Sequence, residues 1–426
     1  MFRSKRARPS LGAHSLPMCS GITSVLLLST PAAGQELSLA DALSRVVAGD
    51  PAIAANAAQI EAANASIRQA GVRPRDVVGV DVEDFAGTGP YSPLERSQTT
   101  AWYERTLERG GKLEARLDAA RSDLAVTQQR THLRMLDVLA RTQAAWVEAL
   151  AAKAAIPIAE ERLADARRVQ AEVDRRVARA LDPLFAGERA RTAVAQAKIG
   201  LDQAQQNAQS ARALLGAYWG GGGEFGLDAS AFERFDLGAG TPETSPDLAL
   251  LSAQQEAAGA RVKLAETASV SDPTLRAGVR HFGQGNDVAL VVGGSLPLGS
   301  RTANRGNVER ARAEQLAAEA EVAVARVERN REIDRLLAER GTIASEIYRI
   351  DREVLPSARR AVVLIRDGLR RGGTAFTFLE ASQAQQAVID VRSRRVDLLR
   401  RFHLAGARLD RLTGRYAFLL SRTEQP

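Results

Sequence analysis

The chain contains one sequence pattern twice. The segment AQIEAANASIRQA at 58–70 recurs as AQQEAAGARVKLA at 253–265, and a proline opens the helix in each copy, Pro51 and Pro246. Each copy continues through two short alternating segments, a glycine-bearing turn and a very long helical stretch. Because the repeated unit is roughly half of the protein, the chain is predicted to fold as two copies of one architecture.

Composition limits the kind of core that these copies can build. The long stretches are rich in Ala, Arg, Glu, Leu and Gln, which is typical of extended helices. Only 4% of the residues are aromatic, although 45% are hydrophobic, so the core is predicted to be aliphatic and narrow. The predicted division is a signal peptide at 1–34, a first repeat at 35–216, a connector at 217–245, a second repeat at 246–414 and a C-terminal tail at 415–426.

The N-terminal segment has the features of a signal peptide. Basic residues precede the apolar run Gly21–Ser29 and the small residues 32–34, so we expect the mature chain to begin near Gln35. The only cysteine, Cys19, precedes the apolar run, a position that does not favour lipid attachment. Removing the segment takes four positive charges from the formal net charge of +7. A nucleic-acid partner is therefore not expected.

Four short segments show an alternation of apolar and polar residues in place of the helical period, and this alternation predicts β-strands. Strands of about nine to eleven residues span a bilayer at a tilt, with one apolar and one polar face. Two ordinary hairpins on a soluble core are the alternative. Since four strands cannot close a barrel and an open edge is not tolerated in lipid, the membrane interpretation requires the chain to oligomerise. The predicted strands are RDVVGVDVEDF at 75–85, TTAWYERTL at 99–107, TLRAGVRHF at 274–282 and VALVVGGSL at 288–296.

A very long helix is predicted after each strand pair. The first ends at about Ala180, and the second extends from about Asn304 to Arg371. At 1.5 Å per residue these are rods on the order of 100 Å long. Pro157 and Pro356 lie in their later halves and are predicted to bend or interrupt them.

Each rod ends at a chain reversal, after which a returning helix is predicted. The reversals are Leu181-Asp182-Pro183 and Gly372-Gly373-Thr374, and the returning helices are expected at about 184–215 and 376–412. Each copy thus contains an antiparallel helical hairpin whose tip lies far from the strands.

This order of elements, repeated twice, resembles the TolC family of outer-membrane efflux channels. The residues that carry the resemblance are the strand-to-helix junctions TLERGGK (106–112) and SLPLGSR (295–301), the turn VLPSARR (354–360), and the run LRRGGTAFTFLEA (369–381) with RLDRLTG (408–414). The GGK junction and RTANRGNVE (301–309) are most similar to the heavy-metal cation branch.

The resemblance implies a mainly α fold with a small β part. In similar proteins three chains contribute four strands each to one twelve-stranded transmembrane barrel, and the helical hairpins form an α-barrel tunnel across the periplasm. The resemblance also implies an outer-membrane location in a Gram-negative cell, contact with outer-membrane lipid, a periplasmic adaptor (membrane fusion) protein and an inner-membrane, proton-driven pump. Such a duct catalyses nothing, and no cofactor is expected.

The resemblance places function at the tunnel tip. Similar proteins constrict the tunnel with rings of acidic side chains. Glu380 matches one ring position, Thr377 falls where a second acid is expected, and Glu188 is the counterpart in the first copy. A solvated helix face is the alternative for both glutamates. Adaptor contact is expected at the reversals, which could also serve only to turn the chain: Leu181, Asp182, Pro183, Gly372, Gly373 and Thr374.

Little else in the sequence indicates chemistry. His132, His281 and His403 stand without a ligand partner at metal-site spacing, so no metal site is predicted. Two other interpretations remain: a secreted, elongated coiled-coil protein without a pore, and an exit duct of the same family for drugs or type I secretion. The exported solute is left open by the sequence.

Overall fold

The computed structural model describes residues 36–91, 96–235, 237, 245–370 and 378–421. The predicted signal peptide lies outside these ranges, and so do the predicted site residues Gly372, Gly373, Thr374 and Thr377. Within the described ranges, the two copies have the same order of elements: helix, two strands, a long helix and a returning helix.

The bounds of these elements agree with the predicted pattern. The first copy contains α1 (Leu39–Gly49), α2 (Pro51–Ala70), β1 (Val77–Glu83), β2 (Gln98–Thr106), α3 (Lys112–Ala178) and α4 (Leu184–Ala217). The second contains α5 (Pro246–Thr267), β3 (Thr274–Phe282), β4 (Val288–Ser295), α6 (Ser300–Arg349), α7 (Leu355–Arg370), α8 (Phe378–Thr413) and the short α9 (Phe418–Ser421).

Side-chain caps and prolines explain where the first helix of each copy begins. Asp50 ends α1 and caps α2, since its carboxylate accepts a hydrogen bond from the Ala52 N–H at 2.7 Å. Pro51 follows at the first helical position, where a missing N–H has no cost. Ser245 and Pro246 begin α5 in the same way. The predicted helix start at Asp50-Pro51 is therefore confirmed.

The four strands form one antiparallel sheet in the order β1-β2-β3-β4. The central pair, β2 and β3, joins the two copies, with Trp102 opposite Gly278. β1 has 7 residues and is shorter than predicted, because the chain turns at Asp84, which has a positive φ of 56°. The other predicted strands agree with the structure to within about two residues.

The two prolines in the long helices have different effects. α3 continues through Pro157 to Ala178, so the predicted interruption is wrong there. One missing N–H is a small loss in a helix of 67 residues that packs along α4, α5 and α8. Before Pro356, by contrast, residues 350–354 form a π-turn in which the Leu355 N–H bonds to the Ile350 carbonyl. The wider turn moves the carbonyls that would otherwise face the proline ring.

The main core lies where α1, α3 and α8 meet the connector. Its largest members are Trp146, Leu150, Leu215, Leu227, Phe232, Ile347, Leu398, Leu399 and Phe402. The connector is therefore more than the linker that the sequence suggested. Leu227 forms an isolated parallel bridge with Leu37, and the Phe232 ring stacks on His403 at 5.5 Å between centroids. The large apolar residues in this glycine-rich stretch are the sequence feature that could have indicated its burial in the core.

Candidate functional sites at the sheet and the helical tip

One face of the sheet is apolar and uncovered. The register places Val78, Tyr103, Ala277 and Val292 in one row across the strands, and the neighbouring row contains Leu290. Val78, Leu290 and Val292 are 77%, 83% and 81% exposed in the single chain. A row of aliphatic side chains this exposed marks a surface that contacts a membrane or another protein. The predicted apolar face is confirmed.

The opposite face of the sheet is polar and consists of ion pairs. Arg276 on β3 contacts Glu104 on β2 at 3.1 Å and Asp81 on β1 at 3.6 Å. Arg280, four residues further along β3 on the same face, contacts Glu83 at 2.9 Å. Each arginine thus reaches across three strands to carboxylates of the first copy. Alternation along each strand separates these charges completely from the apolar face.

The strand-to-helix junction depends on two consecutive glycines. Gly110 and Gly111 have φ values of 73° and 74°, which L-residues with side chains adopt at a cost. A Cβ on Gly110 would also lie 2.7 Å from Val270 Cγ2. Gly299 provides the same left-handed conformation before α6, with φ of 79°. The glycines of both predicted junctions are therefore required by backbone geometry.

At the junction a carboxylate of the second copy receives hydrogen bonds from the first. The Lys112 ammonium donates to Asp272 Oδ2 at 2.6 Å, and the Arg109 N–H donates to Oδ1 at 2.9 Å. Burial raises the pKa of Asp272, but these hydrogen bonds and the nearby cations outweigh it, so the pKa lies below its usual range. The ends of β2 and β3 are thereby joined below the sheet.

At the tip of the first hairpin, α3 ends in a Schellman motif. Leu181 donates its N–H to the Arg176 carbonyl and Ala180 donates to the Val177 carbonyl, both at 2.9 Å. Ala180 occupies the left-handed position with φ of 53°, where glycine is usual. The Arg176 guanidinium then makes two hydrogen bonds to Asp182, at 2.8 and 3.0 Å. These bonds lower the pKa of Asp182.

The same tip exposes an apolar patch that sequence reasoning missed in part. Leu181, which was predicted as a contact residue, is followed after Pro183 by Leu184 and Phe185, which are 82% and 63% exposed. These two residues begin α4, whose first turn would otherwise be expected to be polar. The two large apolar residues directly after Pro183 are the sequence feature that could have indicated this exposed patch.

Two of the predicted gate residues, Glu188 and Glu380, lie on returning helices and are exposed. Glu188 lies near the start of α4, where the Arg191 guanidinium donates to its carboxylate at 2.5 Å. Glu380 lies in the first turn of α8. Thr377 and the second reversal lie outside the described residues. The gate thus stays a prediction.

No helix in the described part of the chain is both long and apolar enough to cross a membrane. No group of three or more His, Cys, Asp and Glu side chains among the same residues is arranged to bind a metal ion.

Comparison with known proteins agrees with this arrangement. Residues 241–415 match the protein family described as outer membrane efflux protein. The cobalt-zinc-cadmium resistance protein CzcC of Cupriavidus metallidurans is 25% identical over 405 residues, which cover 93% of this chain and 94% of that protein. The nickel-cobalt-cadmium resistance protein NccC of Alcaligenes xylosoxydans xylosoxydans is 28% identical over 348 residues, covering 78% and 77%.

Among solved structures, the outer membrane protein VceC of Vibrio cholerae has a similar fold. The TM-score is 0.69 at 19% sequence identity, and the match covers 88% of this chain and 96% of that one. The chain therefore has the fold of this outer membrane protein. The family match over residues 241–415 and the similarity to metal-resistance proteins agree with the TolC-type resemblance and with the outer-membrane location that the sequence predicted.

The junction carboxylate provides a pH-dependent prediction. The folded-state pKa of Asp272 lies below the unfolded value of about 3.9. The charged pair with Lys112 therefore stabilises the fold above that pH, and the contribution is lost as the pH falls through the folded-state pKa. We expect Asp272→Asn to lower the free energy of unfolding at pH 7 by about 1–2 kcal/mol. Thermal melts of the detergent-solubilised protein measure this difference.

The difference between Asp272→Asn and the wild type should begin to narrow below about pH 4, where the unfolded state binds a proton, and should disappear as the pH falls through the lower folded-state pKa. Glu309→Gln is the control, because Glu309 pairs with Arg305 within one helix and both side chains are largely exposed. A pair of that kind contributes about 0.5 kcal/mol or less. Equal losses in the two variants at pH 7 would contradict the role given to Asp272.

The positive φ at Ala180 yields a second prediction with an internal control. Ala180→Gly should raise the stability of the tip by roughly 0.5–1 kcal/mol, because glycine relieves the left-handed strain but loses more backbone entropy on folding. Ala178→Gly, two positions earlier at the helical end of α3, should lower it by about 1 kcal/mol. Hydrogen exchange of the Ala180 and Leu181 amides measures both. The same sign of change in the two variants would contradict the Schellman assignment.

Proposed function

We propose that three copies of this chain form the passive outer-membrane exit duct of a tripartite efflux system for heavy-metal cations. An inner-membrane, proton-driven pump would supply the solute, and a periplasmic adaptor protein would connect pump and duct. The two-faced sheet is the observation that carries the proposal, because it has an apolar face for lipid and a polar face for an aqueous lumen.

The open edges of the sheet support a trimer. Among the described residues, β1 and β4 each pair with one neighbour only, so one edge of each strand has backbone groups without a strand partner. Such edges cannot remain open in lipid. Pairing of β4 with β1 of the next copy removes every edge when the ring closes, and three copies give the twelve strands that the family resemblance implies. Symmetric closure of this kind needs only one type of contact.

The duplicated architecture then gives the tunnel a near-sixfold arrangement. In the proposed division, the repeats at 35–216 and 246–414 each contribute one strand pair and one helical hairpin, and the connector at 217–245 joins them. Three chains thus supply six hairpins. The segment at 415–426 includes α9, whose Leu420 packs against Leu43 of α1.

The apolar patch at the first tip supports adaptor contact. Leu181, Leu184 and Phe185 lie beside Asp182 and Pro183 and are exposed. An amphipathic helical hairpin of the adaptor could cover them with its own apolar face. The second tip would contribute Gly372, Gly373 and Thr374 to the equivalent contact.

The names of the relatives support the class of solute. CzcC and NccC are resistance proteins for cobalt, zinc and cadmium and for nickel, cobalt and cadmium, respectively. A passive duct requires no resident metal site, since it conducts the solute that the pump delivers. Rings of carboxylates at the tip, with Glu380 and Glu188 as members, would favour entry of cations over anions.

The gate is testable by conductance. Glu380→Ala should lower the cation selectivity of the trimer in planar bilayers and alter its single-channel conductance, because the variant removes three carboxylates from one constriction. Glu188→Ala tests the first-copy position. Glu314→Ala, on the exposed surface of α6, is the control. Unaltered current–voltage curves for both gate variants would favour the alternative, in which Glu380 and Glu188 belong only to a solvated helix face.

The function itself is testable by complementation of a deletion strain. Deletion should raise sensitivity to zinc, cobalt, cadmium or nickel, and the wild-type gene should restore tolerance. Leu290→Lys should fail to restore it, because each lysine on the lipid-facing side costs about 2–4 kcal/mol near the bilayer midplane. Val291→Lys places the same charge one residue later on the polar face and should restore tolerance.

Three outcomes would oppose the proposal. Equal behaviour of Leu290→Lys and Val291→Lys would argue against a sheet with one face in lipid. Unchanged metal tolerance with increased drug sensitivity would favour the drug exit duct. Recovery of the protein as a soluble monomer or dimer, rather than as an outer-membrane trimer, would favour the secreted coiled-coil protein.

A further inference from the structure

A tryptophan lies flat on the polar face of the sheet, in a notch made by two glycines. Gly79, Trp102 and Gly278 are directly opposite one another on β1, β2 and β3. A Cβ on Gly79 would lie 2.3 Å from Trp102 Cζ2, and one on Gly278 would lie 2.9 Å from Trp102 Cβ. The indole therefore occupies the space that a side chain on Gly79 would fill, and a Cβ on Gly278 would also lie only 2.6 Å from the Ala101 carbonyl oxygen.

The guanidinium of Arg276 covers the exposed side of this indole. Its Cζ atom lies 3.7 Å from the ring centroid, which is within the range of a cation–π contact. Among the described residues, Trp102 Nε1 is buried and has no hydrogen-bond partner. The ring is thus oriented by the glycine notch and by Arg276, and it in turn provides a flat platform for the guanidinium.

The same guanidinium stands between two carboxylates. Arg276 contacts Glu104 at 3.1 Å and Asp81 at 3.6 Å. Carboxylate oxygens are ligands that divalent cations bind readily. Without the arginine, both carboxylates would stand on the polar face of the sheet without the counter-ion that these two contacts provide. On this face of the described strands, the acids Asp81, Glu83 and Glu104 outnumber the arginines Arg276 and Arg280.

We propose that Arg276, oriented on Trp102, is a specificity-determining residue of the exit that prevents Asp81 and Glu104 from retaining divalent cations. The inference rests on the proposed function, in which this face lines the lumen of a closed barrel. A conducting path must bind its ion weakly enough to release it. A fixed counter-ion beside Asp81 and Glu104 lowers their affinity for divalent cations, while the remaining excess of acidic residues on this face still favours cations.

The test compares purified trimers in planar bilayers under a KCl gradient, with and without ZnCl₂. Arg276→Gln should move the reversal potential toward the potassium equilibrium value. It should also lower the zinc concentration that halves the potassium current by at least tenfold. Arg276→Lys, which retains the charge, should remain within about threefold of the wild type. Arg105→Gln is the matched control, because Arg105 lies on the opposite face of the same sheet and should change neither quantity.

The outcomes separate this inference from the proposed function. A wild-type protein that forms no channel refutes the proposed function. The inference alone is overturned if the wild type forms channels but Arg276→Gln changes neither the reversal potential nor the zinc sensitivity. It is also overturned if Arg105→Gln changes these two quantities as much as Arg276→Gln does. If Arg276→Gln does not assemble, the double variant Asp81→Asn, Glu104→Gln decides. This double variant leaves the arginine with neither carboxylate, so its reversal potential should move toward the chloride equilibrium value. An unshifted reversal potential overturns the inference.

Discussion

The sheet has two open edges and an uncovered apolar face, and the rest of the structure depends on this constraint. β1 and β4 have partners on one side only, and Val78, Leu290 and Val292 are directed away from the protein's own core. Backbone groups without partners and aliphatic side chains without cover are both costly. A single chain solves neither problem. Membrane insertion and association of copies solve both together.

Contacts between the two copies make the duplicated chain one unit. β2 and β3 pair along their full length, and Asp272 accepts hydrogen bonds from Lys112 and the Arg109 N–H directly beneath the sheet. The left-handed glycines of the junctions allow the chain to turn directly from each strand pair into its long helix. The position of the helical hairpins is thereby coupled to that of the strands.

Local sequence patterns predicted the helices and strands well, but they did not predict contacts between residues that are far apart in the chain. The period-two pattern of the strands and the Asp50-Pro51 helix start were visible because they depend on neighbours in sequence. Pro157 was expected to bend or interrupt α3. It does not interrupt the helix, because packing along several helices outweighs one lost hydrogen bond. Phe232 joins the core from a segment that looked like a linker. Glu188 and Asp182 were predicted as site residues by their positions. Their hydrogen-bond partners, Arg191 and Arg176, were not predicted, because these contacts depend on the local helix geometry.

The sequence by itself determined the class of this protein: a duplicated chain of long helices and two-faced strand pairs, in the order of an outer-membrane efflux protein. Helical and strand periods record which face of each element is apolar, and that information is local. Only the tertiary structure decided which side chains meet. The register that aligns Gly79, Trp102 and Gly278, and with them the position of Arg276 between two carboxylates, results from pairing between strands far apart in the chain, which no local period encodes.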